Sequence, residues 1–405
     1  MSVIDAQILA PKAALSGLYR EPGDLKHLQK IDPDKVVAFV RALNHCPEKS
    51  LKGKKLVAAI GTGGTISMKV ESDIRVPDLD FEGVFSRTDP HLKDTFEVLG
   101  LDAFKLDSPQ MDYSHIHDLA IAMSYVWAHV KVPFLGFLVL HGTDTMAHSA
   151  AALSLMMGQG LPFSVVYTGG QKSIQEPMSD AGINFRNALF TLEALHAADM
   201  AEVVIVMGEY AMLGTSAVKI DDTLVNAFSA PLHKYVTSFS ALEYPVRLAE
   251  WLKPRRKTAF LPSIWTGDFS HTLIVHSNLG LNPEVVSRQV SDPDIRAVLL
   301  FSYGAGTAYD GVVDAIVEAA KEKGIPVFVI SPVNAEYKIA YESAKKMVKK
   351  DIIPLYMTLP SALAKIEIGL RLHEGDVSAL ARFMTESYVG EIPREDSRFN
   401  PKLER

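Results

Sequence analysis

The sequence runs to 405 residues, 48% of them hydrophobic and 22% charged. That is the balance of a folded chain with room for two to three domains at about 150 residues each, not of a disordered, fibrous or membrane protein. Its 41 Lys and Arg against 48 Asp and Glu leave a formal net charge of -7, which argues against a protein whose main task is to grip nucleic-acid phosphates. Cys46 is the only cysteine, so an intramolecular disulfide, a CxxC redox pair and a multi-cysteine zinc site are excluded, in keeping with a reducing compartment.

The opening segment, MSVIDAQILAPKAALSGLYREPGD, carries Asp5 and lacks the charged head and apolar run of a secretory signal. The longest conspicuous apolar stretch, residues 132–140, stops at His141 and falls well short of the ~20 residues that a bilayer span needs. A cytoplasmic location without membrane association is therefore expected. Residues 1–52 read as a helical, loop-punctuated extension. In it IDPDKVVAFVRALNHC offers Asp32 or Asp34 as a cap, Pro33 near the first turn and apolar residues at helical spacing.

From Lys54 the texture changes. KKLVAAI is an apolar run of buried-strand length that ends in Gly61-Thr62-Gly63-Gly64-Thr65. PFLGFLVL (133–140) before HGTD, PFSVVYT (162–168) before GGQ, and AEVVIVM (201–207) before GEY repeat that logic. Helix-like stretches at about 114–131, 144–159 and 180–198 lie between them. The alternation predicts a parallel sheet with helices on its faces. A Pro- and Arg-rich region, 246–268, reads as a linker, after which HTLIVHS, RAVLLFSYGAG and PVFVISP alternate again with helices. The expected organisation is an α/β catalytic domain over 53–245, a smaller α/β domain over 269–385 and a polar tail over 386–405.

In such sheets the loops leaving the carboxyl ends of the strands converge on one edge, and the unusual residues sit in those loops. The glycines of Gly61–Thr65 permit positive φ and close backbone approach, so amide N–H groups there can face an oxyanion. The segment is neither GxGxxG nor a P-loop, and a tight structural turn is an equal reading. In His141-Gly142-Thr143-Asp144-Thr145-Met146 a hydroxyl stands beside a carboxylate, while Asp144 is also a natural N-cap for the helix that follows. Lys219, in GTSAVKIDDTLVNAF, reads alone as a solvated charge. Beside Asp144 and a threonine hydroxyl, partial desolvation would fit it to serve as a base.

The combination and order of these three elements resemble the bacterial-type L-asparaginases, the threonine amidohydrolases. GTGGTI (61–66) and HGTDTM (141–146) are similar to the two signatures of that family. Asp107-Ser108 in LDSPQM, Thr168-Gly-Gly-Gln171, SDAGINFRNAL (179–189), Lys219 and SYGAG (302–306) follow in family order. The resemblance spans roughly residues 54–375, and the stretch 341–370 looks closer to the cytoplasmic type I branch than to the secreted one.

The resemblance implies a two-domain asparaginase-like fold and hydrolysis of the side-chain amide of L-asparagine, with L-glutamine a second candidate. Thr65 would attack the amide carbon. Thr143, Asp144 and Lys219 would shuttle the proton and place water, and backbone N–H groups around Gly64 and Thr143 would hold the oxyanion. Ser108 would bind the substrate α-carboxylate, with Asp144 and Gln110 toward the α-ammonium. No cofactor is implied, nor a metal, since His115 and His117 lack partners at ligand spacing and no HExxH occurs. A homodimer or homotetramer is expected. Two positions depart from the family pattern. The loop SMKVESDIRVPDLDFEG (67–83) has no tyrosine to assist Thr65, and Pro109 stands where secreted members carry glutamine. The asparaginase-like subunit of a tRNA-dependent amidotransferase and a non-catalytic amino-acid sensor are the competing readings.

Overall fold

The computed structural model describes residues 18–19, 24–46, 51, 53–71, 74–239, 244–253, 260, 262, 264–265, 271–332, 347 and 350–398. Parts of the expected extension, the linker, the stretch 341–349 and the end of the tail lie outside them. The chain divides into two compact units, one built around Tyr19–Ile264 and the other around Trp265–Glu395.

The larger unit is built on a seven-stranded sheet. Its strands are β1 (Lys55–Gly63), β4 (Phe96–Leu106), β5 (Gly136–Leu140), β6 (Ser164–Thr168), β7 (Val203–Met207), β8 (Tyr210–Leu213) and β11 (Thr237–Ser238), in the spatial order β11-β8-β7-β6-β5-β1-β4. Between β1 and β4 the chain forms a hairpin, β2 (Met68–Glu71) with β3 (Ile74–Pro77), and a short helix α2 (Phe81–Phe85). Every residue of β5, β6 and β7 is buried. Strands with both faces covered read as unbroken apolar runs, and these pair in parallel as their sequences predict. The crossovers are α3 (Tyr113–His129), α4 (Met146–Met157) and α5 (Ala181–Ala197), each within a few residues of its expected range. On one face Val57, Leu138, Val166 and Val204 pack against Phe185 and Leu189 of α5 and Phe81 of α2.

The sheet departs from the all-parallel expectation after β7. Only Gly208 and Glu209 separate β7 from β8, too short a link for a crossover, so the chain reverses at Gly208 (φ 60°) into antiparallel β8, and β11 adds antiparallel beyond it. The parallel part has the order second-first-third-fourth-fifth. The chain leaves β1 for the edge strand β4 and then returns across β1 to β5. The crevice at the carboxyl ends of β1 and β5 is thus the topological switch point, where open α/β sheets take their ligands.

The smaller unit carries four parallel strands in chain order, β12 (Thr272–His276), β13 (Ala297–Phe301), β14 (Val327–Ile330) and β15 (Ile353–Pro354). Its core joins Val298, Leu300 and Val329 to Val286 and Val290 of α6 (Pro283–Val290) and Ile316 of α7 (Asp310–Lys323). Lys365, on α8 (Leu359–Leu372), and Glu391 form a fully buried ion pair. The Glu391 carboxylate also accepts the N–H groups of Tyr388 and Val389. Residues 386–395, expected in the polar tail, are thus packed into this unit.

The N-terminal extension contributes α1 (Pro33–Asn44), with Asp32 as N-cap and Pro33 in the first turn as its sequence predicts. What fixes the segment before it is Asp118 in the middle of α3. This fully buried carboxylate accepts backbone N–H bonds from Gln29, Lys30 (2.6 Å) and Ile31 (2.8 Å), and faces His117 Nδ1 at 3.1 Å. Burial alone would raise the proton affinity of Asp118. The hydrogen bonds from His117 and the three N–H groups outweigh that and hold the carboxyl below its ordinary range. Replacing it by Ala strands three donors and costs about 2–4 kcal/mol in chemical denaturation. Because the folded value is depressed, this contribution is present above the ordinary carboxylate range and fades as the pH falls through it. A loss under about 0.5 kcal/mol at pH 7, the scale of an ordinary surface substitution, contradicts this anchoring role.

Candidate active site

The turns leaving β1, β4 and β5 meet at the switch point with almost nothing but backbone between them. Gly64 has φ 86°, and a Cβ there would lie 2.4 Å from both N and Cα of Gly142. A Cβ on Gly142 would lie 2.6 Å from Cβ of Ser108. Real Cβ atoms do not approach so closely, so the glycines at 64 and 142 let three strand ends converge. Gly64 N–H donates to Leu106 O (3.0 Å), Thr62 Oγ1 to Leu140 O (2.9 Å) and Thr145 Oγ1 to Ser108 O (2.9 Å).

Thr65 opens the single 3-10 turn Thr65–Ser67 directly after Gly64 and is half-buried. Its hydroxyl makes no hydrogen bond to another described residue. Ser67 N–H and Oγ both bond Gly64 O at 3.1 Å, which fixes the turn.

The polar centre of the site is Lys219 Nζ, which donates to Thr143 Oγ1 at 2.9 Å and to Asp144 Oδ1 at 2.6 Å. The Lys219 side chain is 18% exposed and that of Asp144 57%. Thr143 is buried, and its hydroxyl, accepting from the ammonium, spends its one proton on Gln171 Oε1 at 3.2 Å. Lys219 sits on a two-residue strand, β9 (Val218–Lys219), paired with β10 (Phe228–Ser229). This ribbon, outside the main sheet, carries the lysine to the strand ends.

Asp144 does not cap α4 as its position allows. The N-cap is Thr145, without a side-chain capping bond, and the Asp144 carboxylate turns to Lys219 instead, a charge-assisted bond between two ionised groups.

Gln171 has no role assigned from the sequence, yet it links Thr143 to the chain beyond Lys219, its Nε2 donating to Asp221 O at 3.4 Å. Its backbone is held by Asp180, whose carboxylate accepts Gln171 N–H (3.0 Å) and Lys172 N–H (3.1 Å). Buried Asn184 bonds Gly169 O (3.0 Å), Asp180 Oδ2 (2.9 Å) and Gly208 N–H (2.9 Å). The SDAGIN segment is therefore the brace of the TGGQ loop, and that pairing is the sequence signal for Gln171.

Ser108 is buried, next to Gly142. Gln110 lies exposed at the end of the turn Ser108–Gln110 and makes no side-chain hydrogen bond to the cluster. Of the residues singled out from the sequence, the fold brings Gly64, Thr65, Ser108, Thr143, Asp144 and Lys219 to one place and leaves Gln110 at its outer edge.

His141 ends β5, fully buried, with Nδ1 at 2.7 Å from Gly142 O. Burial pushes its imidazole down to about 4, against a smaller opposing effect of the Gly142 carbonyl. It is neutral at neutral pH, so the histidine of the HGTD segment is not an acid–base group there. The Nδ1–H donating to Gly142 O is the tautomer this contact selects.

The chain is similar to several known proteins. Residues 56–249 match the family described as asparaginase, N-terminal. The chain is 27% identical over 343 residues to the L-asparaginase of Thermococcus kodakarensis, covering 82% of this chain and 98% of that one. It is 26% identical over 379 residues to one of the subunits of the glutamyl-tRNA(Gln) amidotransferase of Pyrococcus horikoshii, covering 88% and 79%. The solved thermostable L-asparaginase from Thermococcus kodakarensis superposes with a TM-score of 0.71 at 25% identity, covering 84% of this chain and 99% of that one. The fold is that of the L-asparaginases, and residues 56–249 of the larger unit carry the asparaginase N-terminal domain.

The depressed value of His141 gives a pH prediction. Its folded-state value lies below that of the unfolded chain, so stability is full above about 6.5 and falls as the pH drops toward 4. Between pH 7 and 4.5 the wild type should lose roughly 2–3 kcal/mol more than His141→Asn in urea unfolding. Equal losses in the two proteins contradict a buried neutral imidazole.

Proposed function

We propose that the chain hydrolyses the side-chain amide of L-asparagine to L-aspartate and ammonia through an acyl-enzyme on Thr65. The observation that carries this reading is the three-way contact of Lys219 with Thr143 and Asp144, set beside the Gly64–Thr65 turn. Thr65 Oγ attacks the amide carbon and forms the ester. Its proton passes toward the departing nitrogen, which leaves as ammonia, and a water then cleaves the ester and restores the hydroxyl. A threonine hydroxyl is a weak nucleophile without a neighbouring base, and the tyrosine-free loop leaves the Thr143–Lys219–Asp144 group as the available proton relay. Backbone N–H groups around Gly64 and Thr143 are the donors for the oxyanion, the N–H of Gly64 itself being taken by Leu106 O. Ser108 takes the substrate α-carboxylate and Asp144 its α-ammonium. L-Glutamine is the second substrate candidate.

For location we propose the cytoplasm, and for assembly a homodimer or homotetramer. Among the described residues no helix is long and apolar enough to cross a membrane.

A second reading has a specific observation in its favour. Several of the relatives are glutamyl-tRNA(Gln) amidotransferase subunits, and a chain of that kind would release ammonia in the service of a partner. Against it stands coverage, since the match takes in 98% of the Thermococcus L-asparaginase but 79% of the Pyrococcus amidotransferase chain.

The test is ammonia release by the isolated chain from L-asparagine, D-asparagine, L-glutamine and small aspartyl amides. L-Asparagine turnover should fall about 10³-fold or more in Thr65→Ala and about 10²–10⁴-fold in Lys219→Met. Folded wild type that turns over none of these amides overturns the reading and favours the partner-dependent subunit or a sensor.

A further inference from the structure

Asp102 lies on β4 directly opposite Gly61 of β1. Its Oδ1 sits 2.8 Å from where a Cβ of residue 61 would be, so a side chain at 61 would push the carboxyl from this position. The same oxygen accepts the N–H of Phe81, the first residue of α2, at 3.0 Å. Between Gly61 and Phe81 the chain makes one excursion out of the sheet. It contains Thr65, the Thr65–Ser67 turn and the β2–β3 hairpin. Asp102 therefore lies beside β1 two residues before that strand ends at Gly63, and bonds the residue at which the excursion returns.

Other bonds close the excursion on itself or tie it to the 173–175 loop. Leu79 N–H donates to Ser67 O at 2.8 Å, Ile174 N–H to Ile66 O at 3.1 Å and Gln175 Nε2 to Asp78 Oδ2 at 3.1 Å. The Asp102 bond alone among these ties the returning end to the sheet. Its carboxyl lines a narrow cleft with Gly61, Gly63, Ser67, Phe81 and Leu140.

Stability does not explain a carboxyl here. Burial raises its proton affinity above the usual carboxylate value and Asp80 adds to this, against the Phe81 N–H, Lys105 and Lys35. A raised value in the folded state means that the ionised form is the one folding disfavours.

We propose that Asp102 is a positioning residue which ties the returning foot of the nucleophile excursion to the strand beside its departing foot and thereby fixes Thr65 against the Gly142 and Ser108 turns. The assignment rests on the reading of Thr65 as the nucleophile. Asp102 touches no reacting atom and acts through the register of the Gly61–Phe81 segment.

The test compares Asp102→Ala, which removes the acceptor, with Asp102→Asn, which keeps Oδ1 and removes the charge. Three readouts are needed: kcat and KM for amide turnover, hydrogen exchange of the peptide spanning 62–80, and the melting temperature. In Asp102→Ala, kcat should fall about 10-fold with KM within about 2-fold, the scale of a misplaced reacting group. Exchange should quicken in 62–80 while the rest of the larger unit is unchanged. Asp102→Asn should recover kcat and slow exchange, and melt at or above wild type at pH 7. Wild-type kcat and exchange in Asp102→Ala, an Asn variant no better than Ala, or quickened exchange throughout the unit overturns the clamp. A wild type without amide turnover defeats the proposed function instead, and the exchange comparison still decides the clamp.

Discussion

The site depends on one steric constraint, the contact of Gly64 with Gly142 at the carboxyl ends of β1 and β5. With a Cβ at either position the turns would stand apart, since a methyl group at 64 or 142 would fall 2.4 Å or 2.6 Å from its nearest neighbour. Because β1 and β5 are parallel neighbours at the point where the order of strand addition reverses, their loops diverge and leave a crevice. The glycines let backbone close its floor, with no side chain of residue 64 or 142 holding the turns apart. Burial of every residue in β5, β6 and β7 makes that floor rigid.

On this floor the polar groups form a chain rather than a set of independent contacts. Asp144 accepts one bond from Lys219, Thr143 accepts another, and the Thr143 hydroxyl in turn donates a hydrogen bond to Gln171 Oε1. Asp180 and Asn184 hold Gln171 from behind. Three of these members sit in loops after strands, two on α5 or its cap and one on the β9–β10 ribbon, so the polar chain draws on separate elements between Thr143 and Lys219. Its charged end faces solvent at Asp144, while its hydroxyl end is buried at Thr143. That gradient suits a group which must meet a polar substrate on one side and hold a proton on the other.

The parallel core was legible because strands buried on both faces cannot hide their apolar runs, and KKLVAAI, FLGFLVL and VVIVM each end in a glycine or polar turn. The chemistry-bearing loops were legible because glycine and hydroxyl residues cluster where those runs stop. The reversal at Gly208 was not, since a strand leading to a crossover and one leading to a hairpin carry the same apolar pattern. Asp144 was ambiguous for a related reason. A carboxylate before a helix is a cap unless a cation reaches it, and Lys219 lies 75 residues away. Asp118 and Asp102 were silent in the sequence because each acts through backbone N–H groups far along the chain, at Gln29–Ile31 and at Phe81. Periodicity reports which faces are buried, not which peptide groups a buried carboxylate will meet.

The central claim is that Thr143 and Lys219 work as one proton relay rather than as two neighbouring polar groups. A double-mutant cycle on kcat/KM for L-asparagine with Thr143→Val, Lys219→Met and the double variant addresses it directly. For a relay the double variant should be little worse than the poorer single one, with a coupling of about 2 kcal/mol or more. Effects that add within about 0.5 kcal/mol contradict it, and would assign the two residues separate parts in the reaction.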